Sequence, residues 1–283
     1  MADGRGRART AAAIARPLQR MPRRGLLDAE GASRRAAWPR VSVVIPAMNE
    51  ARNITAVLAG LQDVYEILVV DGRSTDDTVA VVQEVAPRAR ILTQPGRGKG
   101  DALIHGFHHA RGDIIVTLDA DGSADPGEIP LFVGALLAGA DFTKGSRRAV
   151  GGGSEDLTAL RRTGNRVLGG IVNLLYGTRY TDLCYGYNAF WRDCLPQLDV
   201  DCHGFEVETL MNVRAAKAGL RVSEVPSYER SRVHGVSNLN ATRDGWRVLR
   251  TILRERVTSS RTAEPDPDRF LSRARVPQVE RAG

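Results

Sequence analysis

The sequence predicts an α/β protein built on a mostly parallel, doubly wound sheet with helices on both faces. Three observations predict it. Short runs rich in Val and Ile alternate with segments of helical period over residues 41–118, the alternation that builds βαβ units. The runs are nearly continuous in apolar residues, as strands buried on both faces are. Several end abruptly in turns rich in carboxylates or glycine, at the strand ends where open α/β sheets hold ligands.

The elements follow in order. Val41–Pro46 reads as the first strand, closed by Pro46. Ala47-Met48-Asn49-Glu50 turns into a helix with Ile54, Val57, Leu58 and Leu61 at helical spacing. Ile67–Val70 is the second strand. It runs into Asp71-Gly72-Arg73-Ser74-Thr75-Asp76, where Ser74 or Thr75 is placed to cap the helix through Val79, Val82 and Val85. Arg90–Thr93 is a short third strand. Gly96-Arg97-Gly98-Lys99-Gly100 follows, then a helix through Leu103 and Phe107. Ile114–Leu118 is the fourth strand and ends in Asp119-Ala120-Asp121-Gly122. Right-handed crossovers put the loops after Pro46, Val70 and Leu118 at one edge of the sheet.

The second half is less regular. Helices are expected at Glu128–Ala138, Leu160–Tyr176, Phe205–Ala218 and Asn240–Val257. Strands are expected at Asp141–Lys144, Tyr187–Trp191 and Arg221–Val225. Residues 148–156 read as a Gly-rich loop free to move. Three regions result: a basic disordered arm at 1–39, one compact domain at 40–257, and a disordered tail at 258–283.

Charge supports that division. Residues 1–40 hold ten Arg against Asp3, Asp28 and Glu30, an excess of seven that equals the whole formal net charge of +7. The remainder is neutral, which argues against a nucleic-acid partner, since that needs a basic face on the fold. Cys184, Cys194 and Cys202 show no metal-ligand spacing and are odd in number, so a reducing, cytoplasmic compartment is expected. No stretch approaches the roughly 20 apolar residues of a membrane span. The last helix nonetheless carries Arg243, Arg247, Arg250 and Arg254 on one face and Trp246, Leu249, Leu253 and Val257 on an adjoining one. That pattern fits a helix lying in a bilayer interface, peripheral on the inner face of a membrane, and equally a stripe packed on the domain.

The chemistry centres on Asp119 and Asp121. Two hard oxygen donors at one strand end suit Mg2+ or Mn2+, whose remaining positions are often shared with phosphates. A solvated turn would look the same locally. Gly96–Gly100 fails the P-loop pattern because Asp101 stands near where Ser or Thr would bind Mg2+. Glycine there still allows close backbone approach, and Lys99 can meet a phosphate. Asp71, directly after a strand, can accept hydrogen bonds from a nucleobase or a ribose.

Taken together these pieces carry a resemblance. Val43–Glu50, Val70–Thr78, Gly98–Ala102 and Leu118–Gly122 stand in the order and spacing of the inverting GT-A glycosyltransferases of family 2. Gly145–Arg147, Thr181–Phe190, Phe205–Glu208 and Arg232–Leu239 resemble the polyprenyl-phosphate (dolichol-phosphate) mannosyl- and glucosyltransferase branch. Asn238 stands where that branch often has Lys, and Ser123 where it often has Gln. The resemblance implies a GT-A fold with a Rossmann-like sheet. It also implies transfer with inversion of a hexose from a UDP- or GDP-sugar, with a polyprenyl phosphate as the acceptor. Pro46, Asn49, Glu50, Asp71, Lys99 and Asp119 match donor-binding positions, and Asp119 and Asp121 match the metal ligands.

A phosphomonoester acceptor is already an anion and needs positioning, for which Arg147, Arg161 and Arg232 are candidates. A hydroxyl acceptor, saccharide or small molecule, would need a base, and Asp182 or Glu208 is then expected. Two other classes are weighed: a sugar-phosphate nucleotidyltransferase, which would want a Gly-rich signature after the first strand, and a catalytically silent sugar-nucleotide-binding module.

Overall fold

The structure, a computed structural model, describes residues 38–235 and 240–258. The Arg-rich arm, Asn238 and the tail beyond Thr258 lie outside the described residues. The elements described belong to the unit that begins at Pro39.

Seven strands form the central sheet: β1 (Val41–Ala47), β2 (Glu66–Asp71), β3 (Arg90–Thr93), β4 (Ile114–Thr117), β5 (Phe142–Ser146), β7 (Asn188–Trp191) and β8 (Val222–Pro226). Their order is β3-β2-β1-β4-β7-β5-β8. All neighbours pair in parallel except β7, which runs antiparallel to both β4 and β5. The β1, β2 and β4 runs are buried along almost their whole length. Strands covered on both faces are mostly apolar, which is why they read as nearly continuous apolar segments. Each fully buried Val, Leu or Ile stabilises the fold by roughly 1.5–3 kcal/mol.

Helices α1 (Ile54–Ala59), α2 (Thr78–Val85), α3 (Lys99–His109) and α4 (Ile129–Leu137) follow the strands they were expected to follow. Helix α3 packs on β1 and β2, and α4 on β5, β7 and β8. Neither Ser74 nor Thr75 caps α2: the N-cap position is Asp77, with no side-chain bond. Ser74 Oγ instead accepts from Asn49 N at 2.9 Å, and Thr75 N donates to Asn49 Oδ1 at 2.8 Å. Asn49 sits at φ +58°, and these bonds hold it in a conformation L-residues rarely adopt.

In the second half, α5 (Ala159–Tyr176), the short α6 (Leu195–Leu198), α7 (Val207–Lys217) and α8 (Ala241–Val257) surround the far edge of the sheet. Val172, Tyr180, Leu183, Val213, Val248 and Ile252 form a small core of their own that holds α5, α7 and α8 together. The Gly-rich segment after β5 is not the free loop expected. Its strand β6 (Gly153–Ser154) pairs with β9 (Tyr228–Glu229), and Gly152 N donates to Ala149 O at 2.9 Å.

Helix α8 buries Val248, Thr251, Ile252 and Glu255. That face differs from both faces read in the sequence. Trp246, Leu253 and Val257 remain 68%, 52% and 84% exposed, so the apolar stripe is not what docks the helix on the domain. Leu160, Val167 and Leu174, exposed at spacings of seven, add a second apolar line on α5. No helix among the described residues is long and apolar enough to cross a membrane.

Candidate active site

Beyond the ends of β1 and β4 lie two clefts with a common wall. The larger, about 480 Å3, is lined by Pro46, Asn49, Glu50, Asn53, Gln94 and Gly98 among others. The second, about 240 Å3, runs between α5 and α8 and is lined by Arg147, Leu160, Arg161, Cys184, Glu208 and Val248 among others. Lys99, Asp119, Asp121, Phe205 and Arg232 line both.

The sheet brings Asp119 and Asp121 to this wall, two and four residues past the end of β4. Each carboxylate already faces a cationic head group. Lys99 Nζ lies 2.6 Å from Asp119 Oδ1 and 2.7 Å from Glu208 Oε1. Arg232 reaches Asp121 Oδ2 with Nη2 and Glu50 Oε1 with Nη1, both at 2.9 Å. Asp121 Oδ1 accepts from Ser123 N at 3.0 Å.

Lys99 is buried, which opposes its charge, but Asp119 and Glu208 outweigh that and raise its pKa. Glu208, in the first turn of α7, has its pKa raised by burial, with Lys99 pulling it back and Asp119 adding to the rise. The three groups form one coupled cluster, and Lys99 is its permanent cation.

The glycines around Lys99 serve packing. Gly98 sits at φ +91°, and a Cβ there would lie 2.3 Å from His203 O. A Cβ on Gly100 would lie 2.4 Å from Cys202 O, and Gly100 N donates to His203 O at 3.0 Å. The close approach expected of a phosphate is therefore made by the chain at 202–204. Gly186, which the residue-by-residue reading did not single out, is the tightest contact of the cluster itself. A Cβ there would stand 2.8 Å from both Asp119 Oδ2 and Lys99 Nζ. Only the spatial neighbourhood of β7 and β4 reveals it.

Pro46, Asn49 and Glu50 line the larger cleft. Glu50 is not open to a nucleoside, because Arg232 and Asn53 hold its two oxygens. Asp71 departs from expectation. It is 6% exposed, is not among the residues lining either cleft, and accepts from Arg73 N at 3.1 Å and Ser74 N at 3.2 Å. It braces the turn that holds Asn49. Gln94, Asn53 and His234, which carried no local signal, line the larger cleft in its place.

A base at Asp182 or Glu208 is expected only for a hydroxyl acceptor, and the surroundings of Asp182 engage its carboxylate fully. It is fully buried, Arg147 grips it through Nε at 2.7 Å and Nη2 at 2.9 Å, and Asn165 Nδ2 donates to it at 2.7 Å. Burial pushes its carboxyl up, but the hydrogen bonds and charge of Arg147 win and hold its pKa below the usual range. Arg147, which lines the cleft between α5 and α8, has further partners. Its guanidinium also binds Glu229 at 3.1 Å and lies 4.6 Å from the Tyr185 ring centroid. With its fork saturated, it shapes the cleft floor and offers no donor pair for a phosphate. Arg161 stands at the mouth, 3.6 Å from Asp156. Asp244 closes the far end, its Oδ1 within 3.6 and 3.7 Å of Arg243 and Arg247.

The donor set at the wall fits a hard divalent cation. Asp119 and Asp121 offer hard oxygen donors of the kind such a cation takes, and Lys99 and Arg232 face them in this structure. Among the described residues no cluster of three or more His, Cys, Asp or Glu side chains is gathered to hold a metal. Further ligands would have to come from a bound phosphate or water.

A family model described as Glycosyl transferase family 2 matches residues 42–198. Glycosyltransferase AglJ of Haloferax volcanii is 30% identical over 225 residues, covering 78% of this chain and 73% of that protein. The undecaprenyl-phosphate mannosyltransferase of Micrococcus luteus is 33% identical over 202 residues, 66% of this chain and 82% of that protein. Among solved structures, glucosyl-3-phosphoglycerate synthase from Mycobacterium tuberculosis, in complex with Mn2+, UDP-glucose and phosphoglyceric acid, matches with a TM-score of 0.60. Its sequence is 26% identical, over 79% of this chain and 82% of that one.

Proposed function

The chain belongs to glycosyl transferase family 2, and from that membership we propose that it transfers a hexose from a nucleotide-diphospho-sugar to a polyprenyl phosphate, with inversion. The larger cleft takes the donor and the cleft between α5 and α8 takes the acceptor. The observation that carries this is the common wall. Two clefts meeting at Asp119 and Asp121 let an acceptor reach the anomeric carbon from the side opposite the leaving group.

The acceptor assignment rests on the state of the two candidate bases. Asp182 is locked by Arg147, and Glu208 is held by Lys99. Neither stands ready to take a proton from a hydroxyl. A phosphomonoester has its second pKa near 6 and arrives already ionised. It needs orientation, which Arg161 supplies through a guanidinium fork matched to phosphate oxygens. The apolar lining from Leu160 to Val248 suits the start of an isoprenoid tail. The Micrococcus relative named for an undecaprenyl-phosphate acceptor supports the same reading.

A divalent ion, Mg2+ or Mn2+, held by Asp119 and Asp121 would neutralise the charge that develops on the departing diphosphate. The chain's own residues do the rest. Lys99 fixes the Asp119 carboxylate, Ser123 N orients Asp121, and Asn49 and Pro46 shape the nucleoside end. The exposed Trp246, Leu253 and Val257 beside Arg243, Arg247, Arg250 and Arg254 support peripheral seating on an anionic bilayer.

The test is mass spectrometry of lipid-extracted products after incubation with undecaprenyl phosphate and a panel of UDP- and GDP-sugars. A sugar phospholipid one hexose heavier is expected. Transfer only to soluble saccharides would overturn the acceptor assignment. Donor cleavage without transfer to any acceptor would leave a binding or hydrolytic module.

A further inference from the structure

Arg232 holds an unusual position. Its guanidinium bridges carboxylates from two separate strand ends, Glu50 beyond β1 and Asp121 beyond β4. It stands on the wall that divides the two clefts. The segment that carries it is tied to the same loops on both sides. Arg230 N donates to Ser123 O at 2.7 Å, Arg230 Nη2 binds Asp125 Oδ2 at 2.9 Å, and Asn53 Nδ2 donates to His234 O at 3.1 Å. Three residues past Arg232, Gly235 takes φ +81°, a conformation that favours glycine.

The consequence for Asp121 is direct. One of its oxygens accepts from Ser123 N and the other from Arg232. A divalent cation approaching Asp121 meets a fixed positive charge in contact with the very oxygen it needs. Glu50 offers Arg232 a second anchor, so the guanidinium can leave Asp121 without losing every partner. A diphosphate entering from the larger cleft would give it a third.

We propose that Arg232 is the internal counter-ion of Asp121 in the donor-free enzyme, competes there with the divalent cation, and is released toward the phosphates only when nucleotide diphosphate binds. The proposal rests on the reading of Asp119 and Asp121 as cation ligands. It makes cation and donor binding mutually dependent: the cation alone binds weakly, and the diphosphate removes its competitor. Glu50 is then a positioning residue that keeps Arg232 within reach of the wall, not a nucleoside ligand. By reciprocity the cation raises affinity for the diphosphate by the same factor.

The experiment is a titration of the full chain with Mn2+, free Mn2+ being read by its electron paramagnetic resonance signal, in the absence and presence of UDP or GDP. Wild type is compared with Arg232→Gln and Arg232→Met, each checked for an unchanged thermal transition. Both variants are expected to bind Mn2+ at least about tenfold more tightly than wild type without nucleotide, and to show a smaller gain when nucleotide is added. If all three proteins bind Mn2+ with nucleotide but equally without it, the counter-ion role is overturned and the metal reading stands. If none binds Mn2+ under any condition, the metal reading itself falls and takes this proposal with it.

Discussion

Arg147 and Asp182 close on each other through two parallel hydrogen bonds, Nε to Oδ2 at 2.7 Å and Nη2 to Oδ1 at 2.9 Å, with Asp182 wholly removed from solvent. The pair joins the end of β5 to the stretch before β7, and Arg147 lines the cleft between α5 and α8. Its carboxylate has a folded-state pKa below its unfolded value, so it adds stability that is fully present above about pH 4 and is lost as pH falls through the folded value. Asp182→Asn should therefore cost about 3 kcal/mol at pH 7, the scale of breaking a buried pair and stranding its partner. The gap to wild type should shrink on acidification below pH 4. Denaturant midpoints of both proteins at several pH values check this, and equal midpoints at pH 7 would rule the pair out as a structural support.

Asp121→Asn should lower turnover at least ~100-fold, the scale of losing one electrostatic contact to the transition state. The fold should survive, because the residue lies past the end of β4. Steady-state kinetics with added Mg2+ or Mn2+ measure the first part, and circular dichroism the second. Full activity of wild type in EDTA would contradict a cation at this carboxylate.

Gly186→Ala places a Cβ 2.8 Å from Asp119 Oδ2 and from Lys99 Nζ. Something in the Lys99–Asp119 contact must shift. Displacing a reacting group by about 1 Å can cost on the order of a hundredfold in rate, so a loss of tenfold or more in kcat is expected with little change in thermal stability. Wild-type kinetics in this variant would mean that the Lys99–Asp119 geometry is not critical.

Arg161→Ala should raise the KM for polyprenyl phosphate while donor affinity, measured by calorimetry, stays within a few-fold. A parallel loss of donor affinity would move Arg161 to the donor side.

The full chain should sediment with anionic liposomes and be released by high salt. Trp246→Ser combined with Leu253→Ser should reduce the pelleted fraction severalfold, since both side chains are exposed and removed from the core. The N-terminal arm is the same in both proteins, so the difference reports α8 alone. Equal pelleting would leave the stripe without a membrane role.

Much of this architecture was legible because apolar runs announce strands buried on both faces. The elements of the first half follow the sequence closely, as does the meeting of Asp119 and Asp121 at one edge. What failed was partner choice across long separations. Asp71, Asp182 and Arg147 look like site residues when read alone, yet each is consumed by a neighbour that only the fold supplies: the Arg73–Ser74 turn, the Asp182–Arg147 fork, the Glu229 carboxylate. Gly186 carried no local signal because its constraint comes from Lys99 and Asp119, far away in sequence. The face on which α8 docks is hidden from the sequence for a related reason. Glu255 is buried there by Arg214 and Lys217 of α7, ion pairs that no hydropathy pattern encodes.

The small core shared by α5, α7 and α8 gives the acceptor side a packing unit separate from the one under the main sheet. Helix α7 contributes to both, with Val213 in the small core and Val207, Leu210 and Met211 in the larger one. The same partition predicts how the molecule breathes. Amide exchange in α5 and α8 should be faster than in β1, β2 and β4, because opening that unit leaves the larger core intact. A lipid product could then depart by a local excursion of two helices, with the nucleotide half still assembled for the next cycle.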